Sequence, residues 1–176
     1  MAHEISEVSG KVEMFYAGET PWHGLGTKVD ECLTAGEAID AGGLDWEVAK
    51  APVFLDDGTP VDGYGATVRQ RPDGSFVPLG IVGRRYEVIQ NVDAFAFMDS
   101  LIGAGSAEFE TAGAVKEGRR VWMLTRLPGE MAVGDTDAVR KYLLLVNGHD
   151  GKMPCRVFFT AVRAVCNNTM TRALAA

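Results

Sequence analysis

The sequence predicts an α+β fold in which a mainly antiparallel sheet, built from hairpins, is packed by two or three helices and contains a β-β-β-α core. Many short segments alternate apolar and polar residues and end at turn-forming residues, which is typical of antiparallel strands. Two segments have the apolar spacing of a helix, and a third has a helix-capping sequence. With 176 residues and 47% hydrophobic residues, the chain is long enough to bury such a core.

The first part of the chain, residues 1–45, is predicted to form an extended acidic lead that ends in a short helix. Thr34 and Glu37 have the spacing of a capping box, in which each side chain bonds the backbone of the other residue. The pair Gly42-Gly43 then supplies a signal that ends the helix. We expect an α+β core domain over residues 46–176, because no linker rich in Pro, Gly or Ser divides the rest of the chain.

The β-β-β-α core is predicted from three strands, over residues 46–54, 64–71 and 76–82. The sequence Arg71-Pro-Asp-Gly-Ser75 has the chemistry of a reverse turn and joins the last two as a hairpin.

After a break at Gly83, the strand pattern continues from Arg85 to Ile89, and Asn91 is predicted to cap a helix. Gly103 and Gly105 follow as the signals that end this helix. Its apolar stripe consists of Ala94, Phe95, Met98, Leu101 and Ile102.

The second half of the chain is predicted to hold further strands, with a long loop over residues 128–139. Thr160 is expected to cap a last helix, which either frays at Ala176 or is shortened there, because no C-cap signal follows. The strands are predicted over 108–115, 120–127, 142–147 and 155–159. The inward positions of the last helix are Val162, Val165, Cys166, Met170 and Leu174.

Composition excludes several classes of protein. No run approaches the roughly 18 apolar residues that span a bilayer, and the first residues lack the order of a secretion signal, so we expect a cytoplasmic protein without membrane contact. Cys32, Cys155 and Cys166 are too far apart to indicate a disulfide framework or a zinc site, and we expect them to serve as small buried residues.

No motif indicates catalysis, a metal or a cofactor. His3, His23 and His149 have no metal-ligand spacing with any cysteine, and the glycine pairs lack the residues that complete a phosphate-binding loop. His149-Asp150 resembles an oriented base, but turn polarity explains it better. The sequence therefore predicts a non-catalytic protein.

Charge is distributed unequally along the chain. The net charge is -7, yet residues 1–62 hold thirteen acids against three lysines, so the remainder is weakly basic. Basic and aromatic residues interleave on the predicted strands and turns of that remainder. Cations that track phosphates and rings that stack on bases are typical of single-strand binding sites. The candidate contacts are Arg84, Arg85, Tyr86, Arg119, Arg120, Lys152, Arg156 and Arg163. The alternative is that Tyr86 and Trp122 belong to the core while the arginines line a solvated sheet face.

At these residues the chain resembles the phage/plasmid-like protein family, which is catalogued as a domain of unknown function in phages, plasmids and prophages. The resemblance rests on motifs that span nearly the whole sequence, and it implies a location in the host cytoplasm. Family members continue past the Cys-Asn-Asn-Thr segment at residues 166–169. The motifs are Pro21-Trp-His-Gly-Leu-Gly26, Gly80-Ile-Val-Gly-Arg-Arg-Tyr-Glu-Val-Ile-Gln-Asn91 with Phe95, Gly118-Arg-Arg-Val-Trp122, Tyr142–Asn147 with His149-Asp150-Gly151, and Arg163–Thr169.

The predicted order of strand, strand, strand and helix from Trp46 to Ile102 is also similar to the core of single-strand annealing recombinases. We therefore expect a non-catalytic protein of phage recombination or replication that binds or anneals single-stranded DNA and forms a homo-oligomer through its sheet edges. The alternative is a protein-binding module of a phage or mobile element, whose acidic N-terminal surface docks a host or phage protein.

Overall fold

The computed structural model describes residues 3–32, 34–102, 107–133 and 137–175. Its helices are α1 (Ala35–Gly42), α2 (Asn91–Ile102) and α3 (Asn167–Ala175). Its strands are β1 (Glu7–Val8), β2 (Lys11–Val12), β3 (Met14–Ala17), β4 (Thr27–Val29), β5 (Val48–Phe54), β6 (Pro60–Gln70), β7 (Phe76–Gly83), β8 (Glu108–Val115), β9 (Arg120–Val133), β10 (Asp137–Gly148) and β11 (Arg156–Thr160).

The larger sheet has six strands in the order β11-β10-β9-β8-β3-β4. Its pairs are antiparallel except β3 and β4, which run parallel. Residues 142–148 at the end of β10 are buried without alternation, because both faces of the sheet are covered. Helices α1 and α2 pack on one face, and α3 with the segment before it packs on the other.

A second sheet, which we call the smaller sheet, has three antiparallel strands in the order β5-β6-β7, and β1 and β2 form a separate two-stranded hairpin. The turn from Arg71 to Ser75 joins β6 to β7 as predicted, with the Arg71 amide donating to the Ser75 carbonyl at 2.8 Å. One face of this sheet buries Val48, Val77 and Leu79 against Trp46. The predicted α+β fold class, with mainly antiparallel sheets and three helices in the described residues, is confirmed.

The predicted capping box at the start of α1 is confirmed. The Glu37 amide donates to Thr34 Oγ1 at 3.2 Å, and the Thr34 amide donates to Glu37 Oε2 at 3.1 Å. Gly43 ends the helix with a left-handed backbone, φ 62°, which glycine adopts without a steric penalty. The lead also supplies β3, an interior strand of the larger sheet. The division of the chain into residues 1–45 and 46–176 stays a prediction.

The long loop predicted over residues 128–139 is wrong. Strand β9 continues to Val133 and β10 begins at Asp137, so residues 128–133 and 137–139 extend a hairpin, while residues 134–136 lie outside the described residues. The sequence suggested a loop because of Pro128, but the strands pair Arg126 with Tyr142 and Glu130 with Arg140, which leaves a bulge around the proline. A bulge tolerates a residue that cannot donate a ladder hydrogen bond.

The strand predicted from Arg85 to Ile89 is also wrong, because this segment is a turn followed by irregular backbone. The carbonyl groups in and next to this segment accept hydrogen bonds from side chains and not from a neighbouring strand. Lys50 Nζ donates to the carbonyls of Arg84 and Tyr86, and Asn147 Nδ2 donates to the carbonyl of Ile89.

Asn91 is the first residue of α2. Its side chain forms tertiary contacts and does not cap the helix. Its Nδ2 donates to the Leu44 carbonyl at 3.0 Å, and its Oδ1 lies 2.9 Å from His149 Nε2. The predicted stripe is buried at Ala94, Phe95 and Met98. The side chains of Leu101 and Ile102, and the predicted stops Gly103 and Gly105, lie outside the described residues.

The last helix begins at Asn167 rather than after Thr160, so the predicted start is wrong by about two turns. Thr160 Oγ1 accepts only from the Val162 amide in a local turn. The intervening backbone is held by distant side chains, since Thr111 Oγ1 donates to the Ala164 carbonyl and His23 Nε2 lies 2.9 Å from the Val165 carbonyl.

We predict that Gly113→Ala lowers the free energy of unfolding by about 1–3 kcal/mol, because the new methyl group overpacks the core. A Cβ at Gly113 in β8 would lie 2.9 Å from Trp122 Cζ2 and closer still to Cη2. Urea denaturation measures the effect. Gly83→Ala is the matched control, because its Cβ would meet nothing within 4 Å, and it should change the free energy of unfolding by less than about 0.5 kcal/mol. Equal effects of the two substitutions would contradict the packing argument.

Candidate nucleic-acid interface

A surface groove lies where the smaller sheet meets the turn after β10. It has a volume of about 460 Å³ and is lined by residues 78–81 of β7, by Arg119 and by residues 150–152. Arg119 and Lys152 are exposed, so the groove carries two accessible cations. The Asp150 carboxylate is buried and accepts from the Lys152 amide at 2.9 Å, which directs it toward its own backbone.

The turn at residues 148–151 fits closely against β7. A Cβ at Gly80 would lie 2.5 Å from the Asp150 carbonyl oxygen, and a Cβ at Gly151 would lie 2.8 Å from Val82 Cγ1. Thr67 Oγ1 donates to the His149 carbonyl at 2.6 Å. Glycine at these two positions therefore allows the backbone approach that forms the groove wall.

Tyr86 follows the pair Arg84-Arg85 in the chain and contacts the turn at residues 148–151. Its hydroxyl donates to the Gly148 carbonyl at 2.9 Å, and its ring is half-buried. Burial, followed by the charge of Asp150, raises the pKa of this hydroxyl, which keeps the donating proton in place. Arg84 and Arg85, directly before it, are exposed at the end of β7.

Six of the eight residues predicted to contact nucleic acid line the groove or lie beside residues that contact the turn at 148–151. Arg119 and Lys152 line the groove, Arg84 and Arg85 directly precede Tyr86, and half-buried Arg120 pairs with Gly148 across the β9–β10 ladder. In the described part of the chain, these cations have no carboxylate within ion-pairing distance.

The other two predicted residues lie elsewhere. Arg156 is exposed on the outermost strand β11, where it lines a separate pocket with Leu174. Arg163 forms an ion pair with buried Glu110, and its Nη2 donates to the Glu19 carbonyl at 2.7 Å. Its charge is therefore compensated within the fold. Trp122 is fully buried and donates to Thr111 Oγ1, as the core interpretation predicted.

A buried polar cluster, which reaches the turn beside the groove through His149, joins the smaller sheet to the larger one. Arg69 of β6 donates to Glu13, between β2 and β3, through Nη1–Oε2 at 2.9 Å and Nη2–Oε1 at 2.5 Å. Both side chains are almost fully buried. The guanidinium lies 4.0 Å from the centre of the Trp46 ring, which in turn meets the His149 ring edge-to-face at 5.6 Å. An ion pair and a cation–π contact thus hold Trp46 in place against His149, in the turn that forms the groove wall.

His149 is fully buried at the base of the groove. Burial, followed by the nearby Arg69 charge, lowers the pKa of the imidazole from 6.5 to about 4, against a smaller opposing effect of Asp150. The ring is therefore neutral at physiological pH and serves as a structural hydrogen-bond partner of Asn91.

Sequence reasoning did not identify this cluster. No motif marks Arg69 as buried, and turn polarity is sufficient to explain His149. One signal was present, since Arg69 alternates with Thr67 on the face of β6 that meets buried Val77 and Val48 across the sheet. Glu13 gave no such signal, because nothing in the lead indicates which acid turns inward.

In the described residues, no cluster of His, Cys, Asp or Glu has the arrangement of a metal site, and no helix has the length and apolar character needed to cross a membrane. The cysteines there are free thiols, with Cys32 and Cys166 buried and Cys155 half-buried.

Residues 78–176, more than half of the chain, match the family described as Domain of unknown function (DUF932). The chain belongs to this family. No curated protein and no solved structure matches it. The DUF932 match begins within β7 and includes every predicted contact residue, whereas Arg69, Glu13 and Trp46 precede it. The phage or plasmid origin and the likeness to annealing recombinases stay predictions.

We predict that Glu13→Gln lowers the free energy of unfolding of this DUF932 protein by about 3–5 kcal/mol, because it leaves the Arg69 charge buried without its counter-ion. Urea denaturation measures the loss. Glu117→Gln is the matched control, since Glu117 pairs with Arg71 at 3.4 Å in an exposed position and should cost less than about 1 kcal/mol. Similar losses of unfolding free energy in the two variants would contradict the claim that burial makes the Arg69–Glu13 pair more important for stability than an exposed pair.

We further predict that acid destabilises the fold through His149. Above pH 6.5 the imidazole is neutral in the folded and unfolded states and contributes nothing to the pH dependence. As the pH falls from 6.5 toward the folded-state pKa of about 4, only the unfolded chain takes up the proton. The free energy of unfolding should therefore fall by about 1.4 kcal/mol per pH unit, or about 2 kcal/mol between pH 7 and pH 5.

Denaturation at several pH values, compared with His149→Gln, isolates this contribution. The variant lacks the titrating group and should lose about 2 kcal/mol less than the wild type over the same interval. Parallel pH profiles for the two proteins would contradict the assignment.

Proposed function

We propose that this DUF932 chain binds single-stranded DNA without catalysing a reaction, as a binding or annealing protein of phage recombination or replication. The observation that carries the proposal is the groove lined by exposed Arg119 and Lys152, with exposed Arg84 and Arg85 directly before Tyr86, which contacts the adjacent turn. Cations without internal partners are free to contact phosphates, and the release of condensed counterions then favours binding.

The local arrangement matters more than the overall charge. The net charge of -7 repels nucleic acid at long range, so binding depends on a site where cations converge within one Debye length. A groove of about 460 Å³ is of the size that holds a small ligand, which fits an unpaired nucleotide but not the width of a duplex. The half-buried Tyr86 ring beside it offers a surface on which a base can stack.

A second candidate function is a protein-binding module that uses the acidic N-terminal surface toward a host or phage protein. One observation favours it: Trp22, in the lead that carries nine of the 24 acids, is 67% exposed. Exposed tryptophan is enriched among the residues that dominate binding energy in protein interfaces. This candidate does not use the groove.

Fluorescence anisotropy of a labelled oligothymidine across a salt series tests the first function. We expect the double variant Arg84→Ala/Arg85→Ala to weaken binding and to reduce the salt slope by about 1.4, since each lost phosphate contact on a single strand contributes about 0.7. The variant Lys28→Ala/Arg172→Ala is the control, because it removes two exposed cations elsewhere and should leave the slope unchanged.

Salt-insensitive binding, or an equal effect of the control pair, would contradict the proposed interface. Absence of binding at about 50 mM salt would remove single-stranded DNA as a ligand, since electrostatic binding is strong at this ionic strength. A labelled duplex measured in parallel separates single-strand preference from general attraction to nucleic acid.

A further inference from the structure

Where β6 pairs with β7, from Tyr64 to Gln70, the outward face of the smaller sheet carries no charged side chain. Along β6, buried Gly65, Thr67 and Arg69 turn toward the rest of the protein, so the residues between them face outward. On β6 these outward residues are Tyr64, Ala66, Val68 and Gln70.

The neighbouring strands extend the same surface. In β7, Phe76 pairs with Gln70, Pro78 with Val68, and Ile81 with Ala66. In β5, Ala49 and Ala51 pair with Val68 and Ala66. We call these residues of β5, β6 and β7 the outer sheet face. Its largest side chains are strongly exposed: Tyr64 at 60%, Phe76 at 63% and Ile81 at 59%.

The edges of this sheet are less suitable for association than its face. Each of the two outer strands contains a proline, Pro52 in β5 and Pro78 in β7. Proline cannot donate a ladder hydrogen bond, so a further strand would pair poorly at either edge. A partner is therefore expected to cover the face rather than to extend the sheet.

We propose that the outer sheet face is the interface of a symmetric homodimer, in which two copies pack their three-stranded sheets against each other. An uncharged and largely apolar face is best covered by a surface with the same properties, and a second copy presents such a surface. A two-fold axis brings one patch against itself, and aligned packing of two sheets at about 10 Å is a standard arrangement.

The charge and the area agree with this occupant. Most of the surface of a chain of net charge -7 repels a second copy, whereas an uncharged face brings no like charges into contact. We take about 100 Å² of buried area for each of the three large side chains, or about 300 Å² together, and about 300 Å² for all the smaller side chains. Each copy then buries about 600 Å². The total of about 1,200 Å² lies at the low end for a specific interface, so we expect dissociation in the micromolar range. The inference does not require nucleic-acid binding, although Pro78 and Ile81 of the outer sheet face also line the groove.

Sedimentation velocity of the full chain at about 1–100 µM, without nucleic acid, tests the proposal. The wild type should be a dimer at the upper concentrations. Phe76→Lys and Tyr64→Lys, at opposite ends of the face, should each raise the dimer dissociation constant about 30-fold or more, because each places like charges in an apolar interface. Neither residue lines the groove, so a change in dimerisation is separable from a loss of DNA binding.

Phe159→Lys is the matched control, since Phe159 is 77% exposed on β11 of the other sheet, and it should leave the dissociation constant unchanged. Circular dichroism confirms that each variant is folded, and two independent positions guard against a local folding defect. A wild type that stays monomeric at about 100 µM, a dimer that survives both substitutions, or one that the control disrupts equally would each overturn the proposal.

Discussion

The buried ion pair between Arg69 and Glu13 is the constraint on which the arrangement of the two sheets depends. Glu13 directly precedes β3 of the larger sheet, and Arg69 lies in the central strand of the smaller one. A guanidinium that is 2% exposed needs its counter-ion, because the cost of an isolated buried charge exceeds the gain from ordinary packing. Trp46 lies over the same guanidinium and contacts His149, so the pair also fixes the turn that forms the groove wall.

This dependence explains why the supporting cluster and the candidate interface come from different parts of the chain. Glu13 and Trp46 precede the DUF932 match, whereas Arg119 and Lys152 lie within it. In the described residues, Arg119 and Lys152 form no ion pair, whereas the Arg69 charge is neutralised by Glu13 inside the fold. A count of basic residues in the sequence therefore does not separate exposed cations that can bind a ligand from buried cations that stabilise the fold.

The sequence predicted the elements where local chemistry decides the structure. The capping box of α1 and the turn between β6 and β7 depend on residues close in the chain, and both were predicted correctly. The errors fall where distant groups override local preference. Lys50 and Asn147 hold the segment after β7 out of a strand, and Thr111 holds the residues before α3 out of a helix. The fate of Arg163 depends on Glu110, which is far away in sequence and close only in the folded chain.

Arg156 lies on an outermost strand of the larger sheet, where its charge acts against strand pairing and need not bind a ligand. Strands β4 and β11 are three and five residues long, and each carries an exposed cation, Lys28 and Arg156 respectively. Short borders with a lysine or arginine oppose the alignment of identical backbones that seeds amyloid-like fibres, because stacked copies would bring like charges together. The larger sheet is thus protected against misassembly during synthesis, when many identical chains are crowded together.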